Sequence, residues 1–175
     1  MVDGSVQRYD GMIRFLHWTM AILIAAQFLK LGDRIDDGEH WIGQTIVPWH
    51  ISVGTLLLVL ILVRVLWAVA QREQRPQHVG PTAVLVKGGH FLLYACMVLM
   101  PIAGILLMLG GGYGLEVFGV ELAPQTDVET GWMIALGSLH SPLAWLFVVL
   151  VLGHVAAALF HHFVQRDDTM KRIMG

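Results

Sequence analysis

The chain has 175 residues, of which 56% are hydrophobic and 14% charged, and its mean hydropathy is +0.67. Soluble domains are nearer 45–50% apolar and about 25% charged. This composition argues against a soluble globular enzyme and a disordered chain. The net charge of −2 argues against nucleic acid as a partner, because it provides no general attraction for a polyanion. The single cysteine, Cys96, excludes an intrachain disulfide and a cysteine-based metal cluster.

Four apolar stretches are long enough to cross a membrane, since a hydrocarbon core needs about 20 helical residues. The first lacks a small-residue cleavage site and is expected to be a retained span rather than a signal peptide. Runs of this length in lipid are helices. The predicted fold is an all-α integral membrane protein, a four-transmembrane-helix bundle in a single domain over residues 1–175. The spans lie near Met12–Leu31, Val47–Val69, Ala83–Leu109 and Trp132–Val164.

The basic residues predict the orientation of the bundle. The outer connections contain eight acidic residues and only two basic ones, Lys30 and Arg34. The positive-inside rule therefore places both termini in the cytoplasm. The outer loop at residues 110–131 begins with three glycines and is expected to be irregular, with a flexible hinge rather than a phosphate-binding loop. The nine basic residues on the inner side are Arg8, Arg14, Arg64, Arg72, Arg75, Lys87, Arg166, Lys171 and Arg172.

Nine histidines are many for so apolar a chain. His40 and His78 fall in predicted loops and are expected to be solvated. The other seven fall on the spans, where an ionisable side chain without a partner is costly and points to function. For any one of them, a hydrogen bond to a neighbouring helix is the alternative explanation. Several at matching depths are harder to explain in that way.

The histidines of the fourth span form a stripe. His140 and His154 are 14 residues apart, which at about 100° per residue is about 40° short of four turns and about 21 Å along the axis. His161 continues the stripe seven residues later. Imidazoles at two depths predict two bis-histidine haems. Zinc is disfavoured because the core offers no carboxylate or thiolate at either depth, and a proton relay does not explain the pairing.

The outer haem ligands follow by elimination, because His50 and His140 are the only span histidines at outer depth. At the inner depth His154 could pair with His17 or with His90, and the spacing leaves both open. Glycines near these positions could let a macrocycle approach the backbone or could simply pack helices together. They are Gly54, Gly104, Gly137 and Gly153.

Several segments, in order along nearly the whole chain, resemble the bacterial cytochrome b561 family. The likeness extends to its superoxide:ubiquinone oxidoreductase and, more distantly, to cytochrome b subunits of nickel–iron hydrogenases and formate dehydrogenases. The segments taken together are specific for this family, although each segment alone is weak evidence. The segments are Phe15–Trp18, Trp49–Gly54 with Val63-Arg64, Gly89-His90 leading to Pro101–Gly104, Leu139-His140, Gly153–His162 and Asp167–Met174.

The resemblance implies a bundle with two haem b groups. It places the inner ligands at His17 and His154, and it agrees with His50 and His140 for the outer haem. Arg64 is expected to bind an inner haem propionate or to snorkel. A quinone site beside the inner haem is also implied. Its candidate donors are His90, His161 and Lys87, for which helix bonding or snorkelling are the alternatives.

The expected function is electron transfer in a bacterial inner membrane, from a periplasmic donor through two haems to ubiquinone or another quinone near the cytoplasmic face. The acidic outer loops favour a basic redox protein as the donor over superoxide, an anion. The alternatives are a superoxide oxidase, or a haem-bearing membrane anchor of a dehydrogenase or hydrogenase. A haem-free transporter or assembly factor is a further alternative.

Overall fold

The structure is a computed structural model that describes residues 8–34, 41–71 and 83–175. Four stretches within these ranges are long and apolar enough to cross a membrane: Gly11–Leu31, Val47–Ala70, Val84–Gly110 and Gly131–Gln165. They agree with the four predicted spans and confirm the all-α membrane bundle. His40, His78, Arg72 and Arg75, to which the sequence analysis gave positions, lie outside the described residues.

Each span is built around one long helix, with shorter elements at its ends. The long helices are α1 (Gly11–Phe28), α3 (His50–Ala70), α4 (Ala83–Gly110) and α6 (His140–Phe160). The short ones are α2 (Trp41–Thr45), α5 (Gly131–Gly137) and α7 (Thr169–Met174). Two 3₁₀ turns (Leu29–Arg34 and Val47–Trp49) and a π-helical turn (His161–Gln165) complete the helical elements described.

The long helices pack in chain order, α1 on α3, α3 on α4 and α4 on α6. The core that α1, α3 and α4 share contains Met20 and Ile61, which are almost fully buried. Large apolar side chains cover the outside, as in Leu66 and Phe91, which are 72% and 70% exposed. An outer surface this apolar is suited to lipid rather than to water.

The outer loop is more regular than the sequence predicted. Strands β1 (Leu115–Val117) and β2 (Val120–Ala123) form an antiparallel hairpin, joined by two residues with positive φ, Phe118 at 50° and Gly119 at 81°. The Phe118 amide donates to the Oγ of the buried Ser52 on α3 at 2.9 Å. We call this side of the bundle the hairpin end.

The three glycines before the hairpin terminate α4 rather than form a loose hinge. The Tyr113 amide donates to the Met108 carbonyl and the Gly112 amide to the Leu109 carbonyl, with Gly112 at φ 73°. This is the Schellman arrangement, which needs a left-handed residue and therefore favours glycine. A Cβ on Gly110 would lie 2.6 Å from the Cβ of Met133, so the close contact between α4 and α5 also requires glycine at this position.

The fourth span is interrupted, whereas the sequence predicted a single helix. α5 ends at Gly137, and α6 begins at His140, so that histidine occupies the first turn of a new helix. A Cβ on Gly137 would lie 2.6 Å from the Leu107 backbone, which identifies this glycine as a helix-packing residue.

The opposite side of the bundle joins the two ends of the described chain. The Tyr9 amide donates to the Arg172 carbonyl at 3.0 Å, and the Trp18 indole donates to the Ile173 carbonyl at 3.3 Å. The Asp10 carboxylate caps α1 through the Met12 amide. We call this side the termini end.

Candidate functional site

At the hairpin end, the first turns of α3 and α6 bring together His50 and His140. Their ring centroids are 5.9 Å apart and the ring planes are inclined by 85°. Both residues are partly buried. The sequence predicted this pair by elimination, and the structure brings the two side chains together.

The His140 ring is held in a defined orientation. Its Nδ1 lies 2.8 Å from the Met100 carbonyl oxygen on α4, to which it can only donate. In the neutral ring this bond leaves Nε2 unprotonated, which is the state that a metal ligand requires. Gly104 makes room for the ring, because a Cβ there would lie 3.0 Å from His140 Nδ1.

The His50 ring carries an unsatisfied nitrogen. Its Nδ1 is buried and has no hydrogen-bond partner, which is costly in an apolar setting. Gln27 on α1 reaches this helix start and donates from Nε2 to the His50 carbonyl at 2.9 Å. A small open cavity of about 40 Å³ lies beside the ring, and its lining includes Lys30 and Trp49.

At the termini end, three histidines from three helices converge. The His154 ring on α6 lies 6.3 Å from that of His17 on α1 and 5.5 Å from that of His90 on α4, measured between centroids. Both partners that the sequence left open are therefore next to His154. They differ in their other contacts, because His90 Nδ1 bonds the Val86 carbonyl of its own helix at 2.7 Å and the ring is exposed.

His17 instead contacts an arginine from α3. Arg64 Nη2 lies 3.2 Å from His17 Nδ1 and donates to it. The Arg64 guanidinium also lies over the Tyr94 ring, 5.6 Å from its centroid, and its buried Nε has no partner. Arg64 is thus directed into the histidine cluster.

Phe147 separates the two levels, and the sequence analysis did not identify it. It lies seven residues from His140 and seven from His154 on α6, and it is 1% exposed. The signal was present, because the stripe of the fourth span reads 140, 147, 154 and 161. A small apolar cavity of about 30 Å³ lies beside it. The lining residues are Met20, Ile24, Gln27, Phe28, Leu57, Met97, Met100 and Phe147.

The spacing of the paired rings is suited to two imidazoles that would hold one haem iron between them. An imidazole nitrogen binds a metal at about 2 Å and lies about 1 Å from its ring centroid, so two rings that share one iron have centroids about 6 Å apart. The His50–His140 and His17–His154 separations of 5.9 and 6.3 Å match this value. The unpartnered His50 Nδ1 and the close approach of the His140 ring to Gly104 support the same fit at the hairpin end.

The residues predicted for quinone lie at the termini end but have different partners. Lys87 is exposed near the start of α4, three residues before His90. His161 begins the π-helical turn, and its Nδ1 lies 2.6 Å from the Asp167 carboxylate. Sequence reasoning missed Asp167 as a contact of His161, because only the geometry of the turn reveals it.

Comparison with known proteins finds similarity to one protein family along nearly the whole chain. The sequence model of the family described as prokaryotic cytochrome b561 matches residues 8–175. Cytochrome b561 homolog 2 of Escherichia coli (strain K12) is 33% identical over 177 residues, covering 98% of this chain and 94% of the relative. The probable superoxide oxidase CybB of Yersinia pestis is 26% identical over 176 residues, covering 96% of each. Cytochrome b561 homolog 1 of E. coli is 25% identical over 179 residues, covering 97% and 98%.

Proposed function

The chain belongs to the prokaryotic cytochrome b561 family, and from this premise we propose that it carries electrons through the membrane, from a donor at the hairpin end to a quinone at the termini end. As a member, it is a multi-pass membrane cytochrome, and the family implies b-type haem. The proposal adds two haems per chain in one membrane domain over residues 1–175. When bound, a b-type haem supplies reversible one-electron transfer.

In this proposal His50 and His140 hold one haem iron, and His17 and His154 hold the other. The two ring pairs on opposing helices support it. His90 is kept as the alternative partner of His154, because its ring is also within contact distance. Arg64 is then a candidate to bind a propionate of the second haem through its guanidinium, which already lies at the same cluster.

The protein's own residues also isolate the path between the two levels. Phe147 and the Met and Leu side chains around it form an apolar layer between the two levels, where water is disfavoured. A dry, low-dielectric layer separates the two sites and keeps protons away from them. This layer is the contribution of the bundle core to electron transfer.

We place the termini end in the cytoplasm and the hairpin end in the periplasm of a bacterial inner membrane. The basic residues support this orientation, since Arg14, Arg166 and Lys171 lie at the termini end. The quinone is ubiquinone or a related molecule, bound beside His154 with His90, His161 and Lys87 as donors to its oxygens. Lipid surrounds the apolar exterior.

The donor at the hairpin end is proposed to be a basic redox protein. Four exposed acidic residues lie on or next to the hairpin: Glu116, Glu121, Asp127 and Glu129. A negative rim attracts a basic partner and repels small anions.

Superoxide is the second candidate donor. The Yersinia pestis relative is named a probable superoxide oxidase, and Lys30 lines the cavity beside His50, where a cation would favour an anion. Stopped-flow reduction by superoxide, compared with a neutral reductant, separates the two donors. Co-purification of a periplasmic partner would instead favour a membrane anchor of a larger dehydrogenase or hydrogenase.

The observation that carries the proposal is the pairing of four helix-borne histidines at two levels. Its test is haem stoichiometry in the purified protein. We expect about two protohaems per chain by pyridine haemochrome assay and a b-type reduced-minus-oxidised spectrum. A chain purified from haem-sufficient cells without haem would refute the proposal and favour a haem-free transporter or assembly factor.

A further inference from the structure

Beyond the end of α6 the chain folds back onto its own last turn. The π-helical turn His161–Gln165 is followed by Arg166 at φ 54°, a left-handed conformation that is uncommon for a residue other than glycine. This reversal returns Asp167 to the start of the turn. The Asp167 amide then donates to the His161 carbonyl at 3.2 Å. π-helical turns are frequent at functional sites.

The reversal brings the Asp167 carboxylate into hydrogen-bond contact with the His161 ring. Asp167 Oδ2 lies 2.6 Å from His161 Nδ1, a short distance typical of a charge-assisted bond. Asp167 Oδ1 is fixed independently, because it accepts from the Thr169 amide at 2.9 Å at the start of α7. The carboxylate is therefore held from two sides.

Several charged or titratable residues belong to this turn and to the helices packed on it. The turn packs against α6 and α7. Lys171, the cation of α7 nearest in sequence, pairs with Asp168 at 2.8 Å rather than with Asp167. The titratable or charged residues of the turn and of the two helices packed on it are His140, His154, His161, His162, Arg166, Asp168, Lys171 and Arg172.

His161 occupies a position suited to proton transfer. It lies seven residues beyond His154 on the same stripe, which is about 10 Å further along the axis. Its side chain is 33% exposed and that of Asp167 is 39% exposed. The ring is thus at the boundary between the bundle and water, and it is anchored there rather than free to snorkel.

We propose that Asp167 is a positioning residue that fixes the proton of His161 on Nδ1, so that Nε2 passes protons from water to the quinone. This inference rests on the proposed function, which supplies two electrons per quinone. The quinone takes up those electrons and two protons to give the quinol. For each proton, His161 Nε2 gains one from cytoplasmic water, donates it to a quinone oxygen and returns to the neutral ring.

The test is Asp167→Asn in the full-length protein in lipid nanodiscs, with the neighbouring Asp168→Asn as matched control. An asparagine amide can donate to Nδ1 and so favour the opposite tautomer. Nitrogen-15 NMR of the histidines reports which ring nitrogen carries the proton. We expect His161 to hold its proton on Nδ1 in the wild type and in Asp168→Asn, and on Nε2 or on a mixture of both in Asp167→Asn.

The second measurement is quinol formation with a chemical reductant. We expect the rate to fall at least about tenfold in Asp167→Asn, with a larger solvent isotope effect and an unchanged haem spectrum. An unchanged His161 tautomer would overturn the positioning role, and a changed tautomer with a wild-type rate would overturn the proton transfer. A wild-type protein that reduces no quinone would refute the proposed function, whereas the NMR result would still decide whether Asp167 positions His161.

Discussion

The Phe147 ring meets the Phe28 ring edge to face, with centroids 5.7 Å apart and planes inclined by 72°. Phe147 is the only aromatic residue of α6 that is buried, and it lies midway between the two histidines of that helix. The contact ties α1 to α6 at the level between the two proposed haems. The contact should therefore stabilise the bundle and help to keep water out of its centre.

Replacement of this aromatic side chain should be costly. In soluble cores Phe→Ala costs about 3–5 kcal/mol; we expect less here, about 2–3 kcal/mol, because lipid already solvates apolar groups in the unfolded reference state. Phe147→Ala should lower the midpoint of thermal unfolding in detergent. Phe91→Ala, at a side chain that is 70% exposed, is the control and should change it little.

The four proposed ligands should act in pairs. His50→Ala and His140→Ala should each remove the same haem, and His17→Ala and His154→Ala the other, as judged by redox titration of the remaining haem. Low-temperature spectra of each variant provide the identification. If His90→Ala removes the second haem while His17→Ala leaves it in place, the partner of His154 is His90.

Gly104 should be sensitive to the addition of a single methyl group. In Gly104→Ala the new Cβ would lie 3.0 Å from His140 Nδ1 and 3.1 Å from Cε1, so the ring must shift. We expect partial loss of the haem at the hairpin end, measured as haem per chain. Gly88→Ala, on the same helix as Gly104, meets no atom within 4 Å and should retain both haems.

The hairpin should depend on one hydroxyl group. Ser52→Ala removes the acceptor of the Phe118 amide, which leaves an unpaired donor and costs about 1–3 kcal/mol. We expect faster hydrogen exchange at Phe118 and faster proteolysis between β1 and β2. The exposed Ser138, whose hydroxyl donates to the Ala135 carbonyl of its own short helix, provides the control variant Ser138→Ala.

The Asp167 carboxyl should titrate at unusually low pH. Partial burial raises its pKa, but hydrogen bonds from His161 and Thr169 outweigh this and lower the pKa from 3.8 to about 2. Because the folded-state pKa is below the unfolded one, the stabilisation is fully present above pH 3.8 and is lost as the pH falls toward 2. Carbon-13 NMR of the carboxyl should show this midpoint. In His161→Ala the midpoint should move back toward the ordinary value.

The spans and the depths of the histidines could be predicted from the sequence, because both depend on the local pattern of residues along each helix. The 14-residue spacing of His140 and His154 on one helix follows from helical geometry alone. Whether His17 or His90 faces His154 does not, because both lie at the same depth on different helices. The resemblance to the family, rather than the spacing, favoured His17.

Features formed by the backbone in three dimensions were the ones that sequence reasoning missed. The left-handed Arg166 that returns Asp167 to His161 carries no signal in its residue type. The hairpin has a non-glycine residue, Phe118, at a positive φ, so the usual turn signal was weak there. Its glycine-rich entry suggested irregularity, whereas those glycines form a defined helix end.

The placement of His154 and His140 on α6 has a consequence for biosynthesis. Each proposed ligand pair takes one residue from the first two spans and one from the last. During synthesis neither pair exists until the fourth span has left the ribosome and entered the membrane. If these pairs hold the haems, each haem can be bound from both sides only after the fourth span has entered the membrane, so insertion of that span is the step that completes both cofactor sites.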